Sequence, residues 1–431
     1  MKIKLLLSIL SLIFLVNASA QEATVKPDDT KIVGTTSPSN TFLLQCKGLV
    51  NPPSSDLKWR PLLSNKFLES EPKDQDQDLI EKIKNEKQKL KQQRVKNGNS
   101  INEQSTLSVS PVVGTNYLGN TNNGMTPLDN SIAISDGGYI VSVANFTIEY
   151  DDMSGTNLYF NSLLTLVQNV DASITGVCDP VVIYDSGSDR FIFFCQALPT
   201  AANSKIFIFF SQTNNPLNGW WSYELTGDPT GTGDGFDYPK LAVSTNELFL
   251  TGNLFTEPSG VFHQAIIFQI NKVAGYSGGA LNYNYYANIT GTPFHLLPVS
   301  YGQTGSYGPG IFLVSTSPAG SSAINLYQIT QDICCSPVLN YWSVPTTTYS
   351  PGSNALQMGT TCLLNTDNCC SLSGFYLYSG GVGTIHFVFH SDIGSGYNGI
   401  NYNRLLVNTL TNTSRTYGLS GSYDYCYPSV I

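Results

Sequence analysis

The sequence predicts an all-β protein, a β-propeller of four-stranded blades, and three features carry that expectation. Beyond residue 113, short runs of Ile, Val, Phe, Tyr and Leu alternate with Gly, Asn, Ser, Asp and Pro, the texture of strands and tight turns. The runs fall into groups of four, repeating at about 45 to 75 residues, as blades do. Three stretches, GVCDPVVIYDSGSDRFIFFCQA, DGFDYPKLAVSTNELFLTGNLF and DYCYPSVI, also share a Pro with an Asp or Cys just before it and a β-branched or aliphatic run after it. A pair of β-sandwich domains is the alternative, with less internal similarity expected.

Residues 1–20 carry Lys2 and Lys4, an apolar run from Leu5 to Val16, and Ala18-Ser19-Ala20. That order is a cleaved secretory signal, cut before Gln21. Its apolar run is too short for a bilayer, which needs roughly 20 residues. An extracellular or cell-surface location follows, with no later span to anchor the chain. Residues 21–112 form a polar, Pro-punctuated segment of low order, expected to stay outside the folded core. Within it Leu79, Ile80, Ile83 and Leu90 recur at helical intervals among charges, between Pro72 and Asn97-Gly98. One solvated helix near 74–96 fits.

The propeller is expected over 113–431. Its first unit reads SIAIS, YIVSVAN, FTIEYD and LLTLVQ; the second has strands at 180–185, 190–197, 205–211 and 220–225. The third runs through KLAVS, LFLTGNLF, HQAIIFQIN and LNYNYYAN, the fourth through HLLPVS, GIFLVSTS, AINLYQIT and LNYWSVPT. After a Cys-rich insertion the fifth has GFYLYSG, TIHFVFHS, INYNRLLVN and a strand near Arg415–Leu419. CYPSVI then opens a sixth.

Charge narrows the function. Only Arg190, Lys205, Lys240, Lys272, Arg404 and Arg415 are basic beyond residue 113, against 19 Asp and Glu, a net charge of 6 − 19 = −13. A surface so poor in cations argues against nucleic acid, whose phosphates need Lys and Arg. A carbohydrate or a surface protein is compatible, and so is a bound cation. Because the first strand of each blade lines the channel, Asp129, Asp179 and Asp237, with Asp424, are placed near one mouth of the axis. Such a ring can hold Ca through oxygen ligands or supply the acid and base of a glycosidase. Alternatively, Asp beside Pro only caps a turn. Tyr283 and Tyr285 alternate on a strand and can stack on a sugar ring or pack on the next blade. DSGSD at 185–189 reads as a turn before a calcium loop. His386 and His390 share a strand face but have no third ligand. No nucleophile elbow, phosphate loop or other cofactor motif is present. A non-catalytic extracellular binding or adhesion module and a secreted carbohydrate-active enzyme both remain open.

Asp179-Pro180, Tyr184-Asp185, Asp189-Arg190 and Trp220 to Tyr223 resemble the blade pattern DPxVxYD, turn, DR, then W-x-x-Y of secreted bacterial multi-bladed propeller proteins. That resemblance covers most of 115–431 and implies blades rather than an activity. CDP and FDYP are also similar to the RDP and ECP stretches of fructosidase-type and arabinanase-type glycosidases. The Glu of the second stretch is missing here, and no N-D-P lies near Asp129.

Nine cysteines leave at least one unpaired. In the 178–197 hairpin, a turn at 186–189 sets Asp185 opposite Arg190, which brings Cys178 diagonally towards Cys195. A disulfide between them is expected. Cys426 stands two residues before Pro428, as Cys178 does before Pro180, without a matching partner. The expectation is therefore a fragment whose sixth blade is begun and not finished.

Overall fold

The computed structural model describes residues 26–56, 73, 75–96, 114, 116–120, 127–198, 204–302, 305–357, 362–419 and 423–430. The signal-like residues 1–20 and the 112/113 boundary lie outside them. Three short strands come first, β1 (Gly34–Thr36), β2 (Phe42–Leu44) and β3 (Gly48–Val50), then helix α1 (Gln77–Lys96). Sheet one is β4 (Ser131–Ile134), β5 (Tyr139–Ala144), β6 (Thr147–Asp152) and β7 (Asn157–Ser162), followed by helix α2 (Leu163–Gln168). Sheet two is β8 (Val177–Asp185), β9 (Arg190–Ala197), β10 (Lys205–Ser211) and β11 (Trp220–Thr226). Sheet three is β12 (Asp234–Val243), β13 (Glu247–Thr256), β14 (Val261–Asn271) and β15 (Leu281–Tyr286). Sheet four is β16 (Leu297–Val299), β17 (Ile311–Ser315), β18 (Ser321–Ile329) and β19 (Leu339–Tyr349). A small hairpin, β20 (Ala355–Leu356) and β21 (Leu363–Leu364), precedes sheet five: β22 (Ser373–Ser379), β23 (Val382–Asp392), β24 (Asn398–Leu406) and β25 (Thr411–Tyr417).

All five sheets are antiparallel meanders, set like blades around a common cavity. β8 lies against β4 and β12, and β16 against β12 and β22, so the innermost strands stand side by side. Middle strands are covered on both faces, which is why FIFFC in β9 and IFIFF in β10 are continuous apolar runs instead of alternating ones. Their side chains divide between two cores. Phe193 packs with Tyr150 and Trp220 against sheet one, while Phe194 and Phe210 meet Phe236 and Phe268 of sheet three. A third core, with Phe249, Phe312, Trp342 and Phe387, joins sheets three, four and five. No helix among the described residues is long and apolar enough to cross a membrane.

The structure corrects four expectations. LLTLVQ is helix α2 rather than the fourth strand of sheet one: Ser162 caps it by accepting from Leu164 N, and Leu163, Leu166 and Val167 bury one helical face. The polar N-terminal segment does not stay outside the core. β1 pairs with β19, β2 with β15 and β3 with β11, and Asp56 N then donates to Phe160 O of β7, so this segment straps sheets four, three, two and one in that order. Outer strands left bare would present unpaired N–H and C=O groups, which the strap satisfies. The Cys178–Cys195 bond is absent. A bulge at Asp179-Pro180 sets Cys178 opposite Gln196, so Cys195 points to the other face, where it is buried and free. Cys334 and Cys335 instead form a close pair of neighbouring sulfurs. Finally, Asp424 is not at the channel mouth. It accepts from Lys91 of α1 at 2.5 Å and from Leu356 N and Asn398 N, forming a buried ion pair that fastens the helix to the sheets.

Residues 427–430 repeat the geometry that opens a sheet. Tyr427, before Pro428, has φ 53°, as Asp179 before Pro180 has 49° and Tyr238 before Pro239 has 57°. Tyr427 N donates to His390 Nδ1 just as Asp179 N donates to Asn145 Oδ1. Ser373 Oγ brackets Val430 N and O at 3.2 and 3.0 Å, as Ser131 Oγ brackets Val182 N and O at 3.2 and 3.3 Å. The segment therefore stands beside β22 as β8 stands beside β4.

Candidate functional site

A cavity of about 700 Å³ opens where the innermost strands meet, and Asp129, Asp179 and Asp237 all line it. Asp129 stands just before β4, whereas Asp179 and Asp237 stand at the bulges of β8 and β12. Asp129 and Asp179 have φ of 41° and 49°, positions at which Asp is among the few side chains tolerated, while beside Asp237 the positive φ falls on Tyr238. Second strands then supply polar partners. Asn145 Nδ2 donates to Asp129 Oδ2 at 2.6 Å, and Gln196 Nε2 donates to Asp179. Asp237 accepts from Tyr238 N at 2.6 Å.

Asp129 and Asp179 line the same cavity as neighbouring acids. Burial pushes the Asp129 acid above the usual carboxylate range; Asp179, Asn145 and the nearby Lys240 ammonium only partly oppose it. Lys240, in the cavity wall, is pushed down by burial, against the pull of Cys370, Asp129 and Asp179. The site is thus a group of carboxyls, Asp129, Asp179, Asp237 and Asp367, around Lys240, with Tyr238 and Phe375 as aromatic walls.

A second cavity of about 670 Å³ lies beneath α1, lined by Gln77, Glu81, Lys84 and Asn85 of the helix and by Asn354 and Asn365. Tyr238 and Asp367 line both cavities, so α1 sits over the same end as the carboxyls.

The other sequence candidates are engaged elsewhere. Tyr283 and Tyr285 lie under Phe42 of β2, with ring centroids 5.4 and 6.1 Å away, so the strap covers the face they would offer a sugar. In the 185–189 turn, Asp185 accepts from Lys272 and from Tyr276 OH of sheet three, and Asp189 accepts from Tyr184 OH and Asn214 Nδ2. Those contacts clamp sheet two to sheet three. His386 bonds Tyr402 OH and stacks on Phe375, while His390 Nε2 donates to Thr366 O. Among the described residues no three His, Cys, Asp or Glu gather as a metal site.

Sequence reasoning missed Lys240, His295, Asn145 and Gln196. Lys240 carried a usable signal, being one of six basic residues beyond 113 and directly following Pro239. Asn145 and Gln196 carried none, because a lone polar residue in the turn after β5 or inside the apolar run of β9 has no spacing of its own.

No family model matches the chain, and no curated protein does. Among solved structures, a subtype N11 neuraminidase-like protein of a flat-faced bat influenza virus aligns over 70% of this chain and 73% of its own, at 10% identity and TM-score 0.34. Xylan β-1,4-xylosidase from Bacillus halodurans aligns over 70% of this chain and 56% of its own, at 13% identity and TM-score 0.35. Cellvibrio cellulosa α-L-arabinanase aligns over 70% and 98%, at 11% identity and TM-score 0.29. Likeness at this level says nothing of substrate.

Proposed function

We propose that this protein is an extracellular, non-catalytic β-propeller module whose channel mouth binds a neutral carbohydrate, with residues 427–430 as the innermost strand of a sixth blade position. The carrying observation is that one cavity, where the innermost strands meet, gathers several carboxyls, the Lys240 amine and the Tyr238 and Phe375 rings. Carboxyl groups beside the Lys240 amine set acceptors and donors side by side, which suits hydroxyl groups.

One observation favours a hydrolytic reading: Asp129 holds its proton above the usual carboxylate range, as a general acid must. That reading needs a second carboxylate, and Asp179, Asp237 and Asp367 line the same cavity; Asp237 is the one tested first. A glycan array, run beside hydrolysis assays on plant and algal polysaccharides, separates the two. Binding without turnover, weakened roughly tenfold by Asp179→Asn, is the expected result. Turnover abolished by Asp237→Asn would establish the enzyme instead.

A further inference from the structure

Behind Tyr238 lies a group of buried polar atoms that the folded chain leaves without partners. Residues 251, 253 and 255 of β13 share one face of the strand. Thr251 Oγ1 donates to Leu296 O at 2.7 Å, and the Phe255 ring lies 6.5 Å from that of Phe294. Asn253 is therefore set against the segment at His295. Asn253 is 1% exposed and His295 9%. Among the described residues, neither Asn253 Nδ2 and Oδ1 nor His295 Nδ1 and Nε2 has a hydrogen-bond partner. Leaving a buried polar group unpaired costs about 1–3 kcal/mol, so four such atoms on two facing segments call for an occupant.

Donor and acceptor count decides what that occupant is. Burial, and then the neighbouring Lys240 ammonium, hold the His295 ring neutral, with one N–H and one bare nitrogen. Asn253 adds an NH₂ and a carbonyl. An anion would satisfy only the donors, and a cation only the acceptors. Two neighbouring hydroxyls, each donating and accepting, satisfy all four. Tyr238, whose ring centroid is 4.2 Å from that of His295, is the wall between this niche and both cavities.

We propose that Asn253 and His295 form a hydroxyl-binding subsite of the channel mouth, taking a vicinal diol of a neutral sugar that displaces the Tyr238 ring. This rests on the carbohydrate reading above. The chain has four histidines, so ring ¹⁵N signals can be assigned with the His295→Phe variant. The full chain is titrated with the methyl glycosides of glucose, xylose and arabinose, and with 2-methoxytetrahydropyran as a ring without hydroxyls. The His295 signals are expected to move with a glycoside and to ignore the control. Asn253→Leu should weaken that response about tenfold. It should also keep or raise Tm, since it removes unpaired polar atoms. If backbone signals at Asp129 and Lys240 shift while His295 stays still, the niche holds water only; the subsite fails and the carbohydrate reading stands. If no signal moves with any glycoside, both fail. A His295 response untouched by Asn253→Leu, or a Tm lowered by it, also overturns the subsite.

Discussion

Glu149 and Glu247 are buried carboxyls whose acid constants rise to about 7, by burial first and then by a neighbouring acid, Asp151 for Glu149 and Asp332 for Glu247. A carboxyl with a raised folded-state pKa binds more protons folded than unfolded between about 4.5 and 7, so stability falls as pH rises through that window. Calorimetry should therefore show Tm declining between pH 5 and pH 8, and Glu149→Gln should flatten part of that decline. An unchanged slope in Glu149→Gln would mean the proton is held elsewhere. At this scale the sequence told part of the story. Asp129, Asp179 and Asp237 do line one cavity, where the innermost strands β4, β8 and β12 meet. Asp424 does not, since its carboxylate serves Lys91, Leu356 N and Asn398 N. Nothing local to DYCYP marks that difference; it depends on a helix more than 300 residues upstream.

Among elements, strands long enough to carry an apolar run were readable, and those that borrow stability from a neighbour were not. GTT, FLL and GLV hold no pattern over three residues, and become strands only because β19, β15 and β11 present edges to pair with. LLTLVQ reads equally as a strand or a helical turn until the tertiary core claims Leu163, Leu166 and Val167 at helical spacing. The bulge at Asp179-Pro180 undid the disulfide expectation by one residue of register, enough to send Cys195 to the opposite face. Helix α1 is polar over most of its surface, so its position depends on individual contacts: Lys84 with Asn365, Lys87 with Asp392 and Lys91 with Asp424. The last pair is 1% and 3% exposed. Breaking a buried pair on one side costs about 3–5 kcal/mol. Lys91→Met should accordingly release α1, seen as new protease cleavage within 77–96 while sheets one to five stay resistant. Cleavage spreading at once into the sheets would show that the helix is not a separable element.

Over the whole molecule, the repeat is both the most legible feature and the one that local reading leaves unfinished, because blade grouping follows from spacing whereas the strap follows from contacts between distant segments. Residues 34–56 run against the order of the sheets, from four to one. Deleting them should bare the outer edges of those sheets and produce concentration-dependent oligomers on size-exclusion chromatography; a monomeric deletion variant would count against that role. The direction of the strap also sets a timetable. β1 is synthesised before any sheet, yet its place exists only once β19 has been made and folded into sheet four. Each later part of the strap waits for a sheet that is completed sooner. The segment made first is thus among the last to dock, and until then folding proceeds with bare edges exposed. Such long-range pairing is slow, and during that interval the nascent protein depends on its surroundings to keep those edges apart.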